Sequence, residues 1–293
     1  MTTLSIRGLT QRYGDTVALA DFDLTLDRPG IHGLLGRNGS GKTTLMSAIA
    51  GLRKPDAGTM TLDGMPIYEN FAATSQICII REDADTTDEW SETIREAFEM
   101  AADMRPYWTP TLADRLLEMF ELAPKMKVNT LSRGQRAKLA ATLGLAARAP
   151  VTLFDEVYLG MDAPSRYQFY DLLLKDYMDH PRIVLVSSHH IEEVAKLFED
   201  VIIIGDGRLM IHESADALRG RGLTLTGPAA AIDALTGHAR ILSTKALGPT
   251  KAVAVYDAPA SLVADARQAG MSVEPLPLQD IFVHLTASGK DAA

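Results

Sequence analysis

The feature that most constrains this chain is a glycine-rich segment placed between an apolar run and a helical pattern. Residues 31–35 (IHGLL) are apolar enough for a buried strand, residues 36–44 are GRNGSGKTT, and residues 45–50 open a helix. The glycines let the backbone turn sharply with its N–H groups pointing inward, and the start of the helix adds partial positive charge. A strand, loop and helix in this order predict a cradle for a polyphosphate.

Side chains of the same segment predict contacts to phosphate and to a metal. Lys42 is placed to reach the β- and γ-phosphates, and the Thr43 hydroxyl is placed to ligate the Mg²⁺ that neutralises them. Upstream, Tyr13 lies in a predicted loop between two antiparallel strands, where its ring either stacks on a purine base or only packs. The nucleotide-binding residues predicted in the segment are Gly36, Arg37, Asn38, Gly39, Ser40, Gly41, Lys42, Thr43 and Thr44.

Composition narrows the class of protein. With 293 residues and 46% hydrophobic content, the chain can form one large globular domain and a smaller one. Its net charge of -9 disfavours non-specific nucleic-acid binding, which depends on Lys and Arg. The single cysteine, Cys78, excludes an internal disulfide, and its apolar neighbours predict a buried thiol in a reducing compartment. Neither a secretory signal nor an apolar run of about 18 residues is found, so we expect any membrane connection to run through a partner.

Two carboxylates follow an apolar strand pattern further along the chain. Residues 151–154 are apolar and run directly into Asp155 and Glu156. Ligands of parallel α/β sheets bind at the carboxyl ends of strands, so this position suits chemistry better than packing, although an exposed acidic turn is the alternative. We expect Asp155 to hold Mg²⁺ directly or through water. We expect Glu156 to orient and partly deprotonate the water that attacks the γ-phosphate.

A histidine follows another apolar strand pattern. Residues 183–186 form the apolar run, and residues 187–190 (SSHH) follow it. We expect His189 to contact the γ-phosphate, because it leaves a strand of the same sheet and lies nearer to that strand than His190 does. A structural role is the alternative for a lone histidine. Between residues 94 and 122, apolar residues recur at helical spacing with prolines as breaks, which predicts a helical insert.

The ordered set of these motifs resembles a known family. Tyr13, GRNGSGKTT, LSRGQ (131–135), VTLFDE (151–156), LGMD (159–162) and SSHH together are similar to the nucleotide-binding subunit of ATP-binding cassette (ABC) transporters, over roughly residues 1–220. LSRGQ resembles the family signature LSGGQ, which separates this group from kinases and GTPases. The resemblance implies an α/β P-loop NTPase (RecA-like) core with an antiparallel β subdomain and a helical insert at about 83–130. It also implies ATP and Mg²⁺ as cofactors.

The resemblance assigns roles across a dimer. In the family, two cassettes pair head to tail, so that each ATP lies between the phosphate loop of one chain and the signature of the other. Ser132 and the Gly134 backbone would then contact the γ-phosphate bound by the opposite chain, and Gln135 belongs to the same nucleotide-binding segment. Asp162 matches the loop that touches the partner, and His189 matches the switch histidine. Lys42, Glu156 and His189 are the catalytic residues that this reading predicts.

The sequence departs from the family pattern at two places. Arg133 stands at a variable position of the signature, where little effect is expected. Glu82 follows the predicted strand 77–80 where the family has a glutamine, because Gln76 lies at the strand's beginning. Glu82 could still ligate Mg²⁺ or water, but its charge beside the phosphates would slow hydrolysis or alter coupling. The acidic run that it opens, residues 82–92, either meets a basic coupling helix of a membrane subunit or is a solvated face.

The last part of the chain predicts a small α+β accessory domain at residues 221–293, after an ATP-binding domain at 1–220. Strands are expected near 223–226, 240–244, 251–256 and 271–274, and helices near 228–236, 259–269 and 278–286. Its role, in regulation or dimer support, stays open. Its ending, PLPLQDIFVHLT, resembles the tail of cassettes that serve ABC-2-type exporters, which implies export.

These resemblances lead to one functional prediction. The chain is expected to bind and hydrolyse ATP at the cytoplasmic face of the cell membrane and to power a separately encoded permease, as a homodimer or paired with a second cassette. No nucleic-acid partner is expected. A soluble ABC-type ATPase without a membrane partner is the alternative, although such proteins usually carry two cassettes or long coiled coils, and this chain has neither.

Overall fold

The computed structural model describes residues 2–81, 92–188 and 191–286, which divide into two compact units, Met1–His212 and Glu213–Ala293. The strands up to the division are β1 (Leu4–Tyr13), β2 (Thr16–Leu26), β3 (Gly30–Leu35), β4 (Ala57–Leu62), β5 (Met65–Pro66), β6 (Ile77–Arg81), β7 (Val151–Asp155), β8 (Ile183–Ser187), β9 (Asp200–Gly205) and β10 (Arg208–Ser214). The helices are α1 (Lys42–Ile49), α2 (Phe71–Thr74), α3 (Ile94–Met104), α4 (Pro110–Met119), α5 (Arg133–Ala147), α6 (Ala163–Asp179) and α7 (Ile191–Val194), with 3₁₀ turns at Val128–Thr130 and Ala195–Leu197.

The central sheet of the first unit has the strand order β10-β9-β3-β8-β7-β6. Its core strands are parallel, and every residue of β3, β7 and β8 is buried, as their apolar runs predict. In register, Arg81 pairs with Asp155, and Asp155 pairs with Ser187. The carboxyl ends of neighbouring strands therefore meet at one edge, which confirms the predicted α/β core.

A second, antiparallel sheet has the order β2-β1-β4-β5. Buried leucine and isoleucine residues alternate along β1, and they share one core cluster with α1 and with β7 and β8. The β1–β2 hairpin is longer than the sequence pattern indicated, so Tyr13 is the last residue of β1, paired with Thr16, rather than a loop residue. The ladder extends past the region of alternating burial because hairpin pairing depends on the turn as well as on burial.

Helices α3, α4 and α5 pack together between β6 and β7 in sequence. A capping box formed by Thr93 and Glu96 starts α3, and Pro110 is the first residue of α4. The edge of Trp108 packs on Phe98 with 5.3 Å between ring centroids. Within the described ranges, no helix has both the length and the apolar composition needed to cross a membrane.

The second unit has a β-α-β-β-α-β order. After α8 (Ala215–Arg221), it contains β11 (Gly222–Pro228), α9 (Ala229–Thr236), β12 (Arg240–Leu247), β13 (Thr250–Tyr256), α10 (Ala260–Gln268), β14 (Ser272–Pro275) and α11 (Leu278–Thr286). Its antiparallel sheet has the order β12-β13-β11-β14, the ferredoxin-like arrangement. The compact units divide at residue 212 rather than at 220, because α8 contacts β11 and α11. The functional division between the units stays a prediction.

Candidate active site

The glycine-rich loop joins the end of β3 to the start of α1, as predicted. Gly41 is the N-cap of α1 in a left-handed conformation (φ 109°), and a Cβ there would lie 2.7 Å from the Ala18 carbonyl oxygen. A Cβ on Gly36 would lie 2.2 Å from Ser40 Oγ. Only glycine fits at these two positions, and the close turn leaves no side chain capping the first N–H groups of α1. The loop thus exposes backbone donors toward its concave side.

Lys42 is folded back over this loop. Its side-chain Nζ donates to the carbonyl oxygens of Gly36 at 2.8 Å and Arg37 at 3.3 Å, and only 6% of the residue is exposed. Burial lowers the pKa of Lys42, while the carboxylates of Glu156 and Asp155 act in the opposite direction and favour the charged form. The buried Lys42 ammonium is therefore held at the loop, where a phosphate bound by the loop would contact it.

Two hydroxyls of the loop complete the cradle. Ser40 Oγ is buried and has no hydrogen-bond partner among the described residues, which is expensive unless a ligand supplies one. Thr43 is exposed in the first turn of α1, with no acidic residue in that turn. The loop therefore fits a polyphosphate: it presents an orphaned hydroxyl, backbone donors and a lysine, and no carboxylate of α1 opposes the charge.

The two predicted carboxylates sit at the end of β7 and are organised by Ser187. Asp155 is 6% exposed, and its Oδ1 accepts a hydrogen bond from Ser187 Oγ at 2.6 Å. The same Oγ accepts from the Glu156 backbone N–H at 3.0 Å. Glu156 adopts a left-handed backbone (φ 53°), which costs a non-glycine residue about 1 kcal/mol or more. Ser187 therefore holds the strained turn at Glu156 and the Asp155 carboxylate together.

A cation at the end of β6 was not predicted from the sequence. Arg81 pairs with Asp155 across the sheet, and its Nη2 donates to Ser47 Oγ, which in turn donates to the Thr43 carbonyl oxygen at 2.5 Å. The Nε of Arg81 is buried without a partner among the described residues. Arg81 therefore links the end of β6 to α1.

The Tyr13 ring carries a cation on one face. It is 44% exposed, and the guanidinium carbon of Arg53 lies 4.0 Å from its centroid. The Nη2 of Arg53 also donates to the Arg12 carbonyl oxygen at 3.1 Å, which fixes the guanidinium over the ring. The Tyr13 ring is thus accessible to a ligand, and Arg53 holds it in place from one face.

The signature segment and the LGMD loop pack against each other. Ser132 is the N-cap of α5 and forms a capping box with Gln135, with bonds of 2.9 and 3.3 Å. A Cβ on Gly134 would lie 3.2 Å from the Gly160 carbonyl oxygen. Asp162 caps α6 by accepting from the Ser165 N–H at 2.9 Å, and hydrogen bonds from Ser165 lower the pKa of Asp162.

The predicted site residues fall into two groups. The structure brings Lys42, Asp155 and Glu156 together at the edge of the sheet, whereas Ser132, Gly134 and Asp162 lie at the adjoining starts of α5 and α6. Glu82, with most of the acidic run, and His189 lie outside the described residues. Their predicted roles as metal ligand and γ-phosphate contact stay predictions.

Sequence comparison with known proteins finds ATP-binding proteins of ABC transporters, the same group that the motifs resemble. The family model described as ABC transporter matches residues 19–158. The chain is 27% identical to the daunorubicin resistance ATP-binding protein DrrA3 of Streptomyces coeruleorubidus over 99% of this chain and 97% of that protein. It is 28% identical to the Nod factor export ATP-binding protein I of Burkholderia orbicola, over 97% and 96%. It is 27% identical to the ABC transporter ATP-binding protein YtrB of Bacillus subtilis, over 74% and 73%.

Solved structures share the fold of the first unit. The ATP-binding subunit of an ABC transporter superposes with a TM-score of 0.66 at 22% identity, over 74% of this chain and 92% of that one. A dimeric ATP-binding cassette in a post-hydrolysis state, bound to ADP and Pi, superposes with a TM-score of 0.62 at 23% identity, over 72% and 98%. The residues 19–158 that the family model matches include the phosphate loop, the signature and the carboxylate pair. Residues 19–158 therefore form an ATP-binding cassette of the kind found in ABC transporters, and the chain is an ABC-type ATP hydrolase.

Proposed function

We propose that this cassette powers a separately encoded transmembrane export subunit from the cytoplasmic face of the cell membrane. The observation that carries the proposal is the similarity over nearly the whole chain to DrrA3 and to the Nod factor export protein, which spans both compact units. The similarity to an export protein supports export, and the exported compound is left to the membrane subunit.

In this proposal, the loop and β7 hold the nucleotide and its metal. Lys42 contacts the β- and γ-phosphates, Thr43 and Asp155 ligate Mg²⁺, and Glu82 is a further candidate ligand. Bound MgATP supplies the phosphoanhydride bond whose cleavage drives the cycle. The buried Lys42 ammonium and the orphaned Ser40 hydroxyl support this assignment, because a polyphosphate would satisfy both groups.

Glu156 is proposed to orient the attacking water and to accept its proton. The strained backbone of Glu156 and the hydrogen bond from its N–H to Ser187 support this role, because strain of this kind persists where the surroundings impose a functional geometry. Ser187 acts as a positioning residue through Asp155 and Glu156. His189 is proposed to contact the γ-phosphate two residues further along the chain.

The second group of residues is proposed to act across a dimer. Ser132, Gly134 and Gln135 lie at the N-terminus of the fifteen-residue helix α5, whose partial positive charge suits a γ-phosphate bound by the opposite protomer. Asp162 would contact the partner from the adjoining start of α6. The dimer forms between two copies of this chain or with a second cassette, and closes when MgATP binds.

Affinity purification from gently solubilised membranes of the protein's own cells tests the proposal. We expect a multi-spanning polypeptide to travel with the cassette in near-equal amount, and to raise its ATPase rate when the two are reconstituted. Recovery of soluble partners alone would leave the ATPase chemistry standing and would favour an ABC-type ATPase that acts without a membrane subunit.

A further inference from the structure

A basic cavity lies at the edge of the central sheet opposite to the phosphate loop. It has a volume of about 520 Å³. Its walls come from the segments that lead into β3, β7 and β8, and from the α3–α4 connection. The lining residues are Thr2, Pro29, Tyr107, Thr109, Arg148, Pro150, His180, Pro181, Arg182 and Ile183. None of these described residues carries a carboxylate, while two guanidinium groups, one imidazole and three hydroxyls face the same space.

The two arginines of the cavity share one buried carboxylate. Arg148 donates from Nε and Nη2 to Asp176 Oδ1 at 3.0 and 2.7 Å, and Arg182 Nη2 lies 2.8 Å from Asp176 Oδ2. Asp176 and Arg182 side chains are each 5% exposed. Two cations against one anion leave an excess positive charge in a largely buried place, which is costly unless a further anion offsets it.

Donor groups of this cluster remain available. In the described part of the chain, Arg148 Nη1 has no hydrogen-bond partner, and neither has the Tyr107 hydroxyl. Arg182 is held in place by Thr152 through Nε and by the His180 carbonyl through Nη1, at 3.3 and 3.1 Å. One guanidinium is thus fixed as a wall of the cavity, and the other presents the unused N–H groups of Nη1, which can donate to a carboxylate or phosphate oxygen.

The backbone makes the cavity rigid. Three prolines line it, and the entering segments are tied together by the hydrogen bonds from Gly30 N to Arg182 O at 3.1 Å and from Ile183 N to Pro150 O at 3.0 Å. Thr109 N donates to the Ala146 carbonyl oxygen at 2.9 Å, which fastens the α3–α4 connection to α5. A preformed, positively charged cavity of this size can accept a small ligand without paying for loop ordering.

We propose that this cavity binds a small free anion that carries phosphate or carboxylate oxygens. The anion accepts hydrogen bonds from Arg148 Nη1 and the Tyr107 hydroxyl, and neutralises the excess charge of the pair Arg148 and Arg182. The site is separate from the nucleotide site, because β3, β7 and β8 run between the two edges for five to six residues, roughly 17–20 Å.

Trp108, between two lining residues, provides a local reporter. The chain contains two tryptophans, Trp90 and Trp108, so a Trp90→Phe background leaves Trp108 fluorescence alone. The full-length protein is saturated with ADP and titrated at constant ionic strength with inorganic phosphate and, separately, with succinate. We expect both anions to change the fluorescence saturably. In Arg148→Gln, half-saturation should need about tenfold more anion, as expected for the loss of a charge-assisted pair of hydrogen bonds.

Matched variants keep the test decisive. Tyr107→Phe leaves the ion pairs with Asp176 intact and should weaken binding about two- to fivefold, so an effect does not depend on Arg148→Gln folding well. Arg115→Gln removes an exposed charge of α4 outside the cavity and should change nothing. Lys42→Ala should leave the titration unchanged. Loss of the response in Lys42→Ala would place the anion at the phosphate loop. Half-saturation at the parent concentration in both Arg148→Gln and Tyr107→Phe, or no response in the parent protein, would overturn the proposal.

Anionic vesicles separate a free solute from a lipid headgroup. Phosphatidylglycerol vesicles are added at the same phosphate concentration, with phosphatidylcholine vesicles as control. We expect no fluorescence change that depends on Arg148, because a proline-rimmed cavity of this size suits a small solute. An Arg148-dependent change with phosphatidylglycerol alone, and none with phosphate or succinate, would contradict the proposal of a free anion.

Discussion

The central sheet has a carboxyl edge, where its parallel strands end, and an amino edge, where they begin. The polar groups at these two edges come from differently arranged parts of the sequence. At the carboxyl edge, the groups come from short contiguous segments, residues 36–44, 155–156 and 187. At the amino edge, they come from separated segments, residues 107–109, 148 and 180–182, none of which has a spacing that indicates a ligand. Groups that lie within a short contiguous segment can therefore be identified from their spacing in the sequence. Groups that packing brings together from separated segments are visible only in the folded chain.

The largest effect is expected when one carboxylate is removed from the carboxyl edge. We expect Glu156→Gln to lower the rate of ATP hydrolysis about 10²- to 10⁴-fold, because the amide cannot accept the proton of the attacking water. ATP binding should persist, since Lys42 and the loop are unchanged. Turnover assays and equilibrium binding of ATP measure the two effects separately.

Glu121 provides the matched control, because it is an exposed glutamate that also has a left-handed backbone (φ 56°). Glu121→Gln should leave turnover and ATP binding unchanged. Near-normal hydrolysis in Glu156→Gln would remove Glu156 as the base and would leave Asp155 as the other carboxylate at the end of β7.

Ser187→Ala tests whether the edge is held together by the bridging hydroxyl. The substitution removes the 2.6 Å bond to Asp155 and the acceptor for the Glu156 N–H. We expect the turnover number to fall about 10- to 100-fold, because misplacing a catalytic group by about an ångström has effects of this order. ATP affinity should change less than about threefold. Steady-state kinetics give the split.

Ser187→Thr retains the hydroxyl on a strand, where a β-branched residue is favoured, and should recover part of the lost rate. Ser75→Ala at the end of α2 removes a half-buried hydroxyl that donates to its own helix at the Ala72 carbonyl oxygen, and should have no effect. A fall in ATP affinity equal to the fall in turnover would contradict the positioning role and would indicate general damage to the site.

The strands of the sheet could be predicted, but of the polar residues that end them only Asp155 was identified from the sequence. The apolar runs 77–80, 151–154 and 183–186 appear as β6, β7 and β8, and each strand continues for one polar residue, Arg81, Asp155 or Ser187. The ladder extends because backbone hydrogen bonding is indifferent to side-chain polarity at the edge of a sheet. Asp155 was identified by its charge, whereas Ser187 and Arg81 needed the register that pairs them with it.

The same reasoning explains the other differences between sequence and structure. Helix α8 was missed because Gly220 and Gly222 suggested a break, yet the helix ends at Arg221 and Gly222 opens β11. A Cβ on Gly222 would lie 2.7 Å from the Ile281 side chain, so that glycine marks close packing rather than a linker. The basic cavity could not be predicted, because Arg148 and Arg182 acquire a common partner only after α5 and α6 pack.

A buried histidine in β3 lies between the two edges and predicts a pH-dependent stability. His32 is 1% exposed, and burial lowers its pKa below the ordinary value of about 6.5, although Asp200, 3.3 Å away, raises it. His212 and Arg28 nearby also lower the pKa of His32, and Glu199 raises it.

Since the unfolded chain binds the proton more readily, the stability from neutral His32 is fully present above about pH 6.5 and is lost as the pH falls toward the lower folded-state pKa. We expect the melting temperature to drop between about pH 7.5 and 5.5, and His32→Gln to reduce that drop by about 2–4 °C. Scanning calorimetry measures the melting temperature at each pH. His238→Gln, at an exposed histidine, is the control, and an equal drop in wild type and His32→Gln would contradict the prediction.

The smallest effect is expected at Tyr13. Arg53 holds in place the ring of Tyr13, for which stacking on the purine base of ATP is one of the two predicted roles. With the guanidinium 4.0 Å from one face and bonded to the Arg12 carbonyl, the ring has fewer orientations to lose when a base stacks on its free face. An exposed cation–π contact is worth about 0.5–1 kcal/mol, so Arg53→Ala should raise the KM for ATP about two- to fivefold with kcat unchanged.

Variants of the ring itself decide whether Arg53 acts through it. Tyr13→Phe keeps the stacking face and should behave as wild type, Arg53→Lys keeps the cation and should recover part of the affinity, and Tyr13→Ala should raise the KM at least as much as Arg53→Ala. If Arg53→Ala raises the KM equally in the Tyr13→Ala background, the two effects are independent and the bracing account is wrong. If the second change adds nothing, the base contact also depends on residues brought together from separate segments, and the carboxyl edge is then only partly built from contiguous motifs.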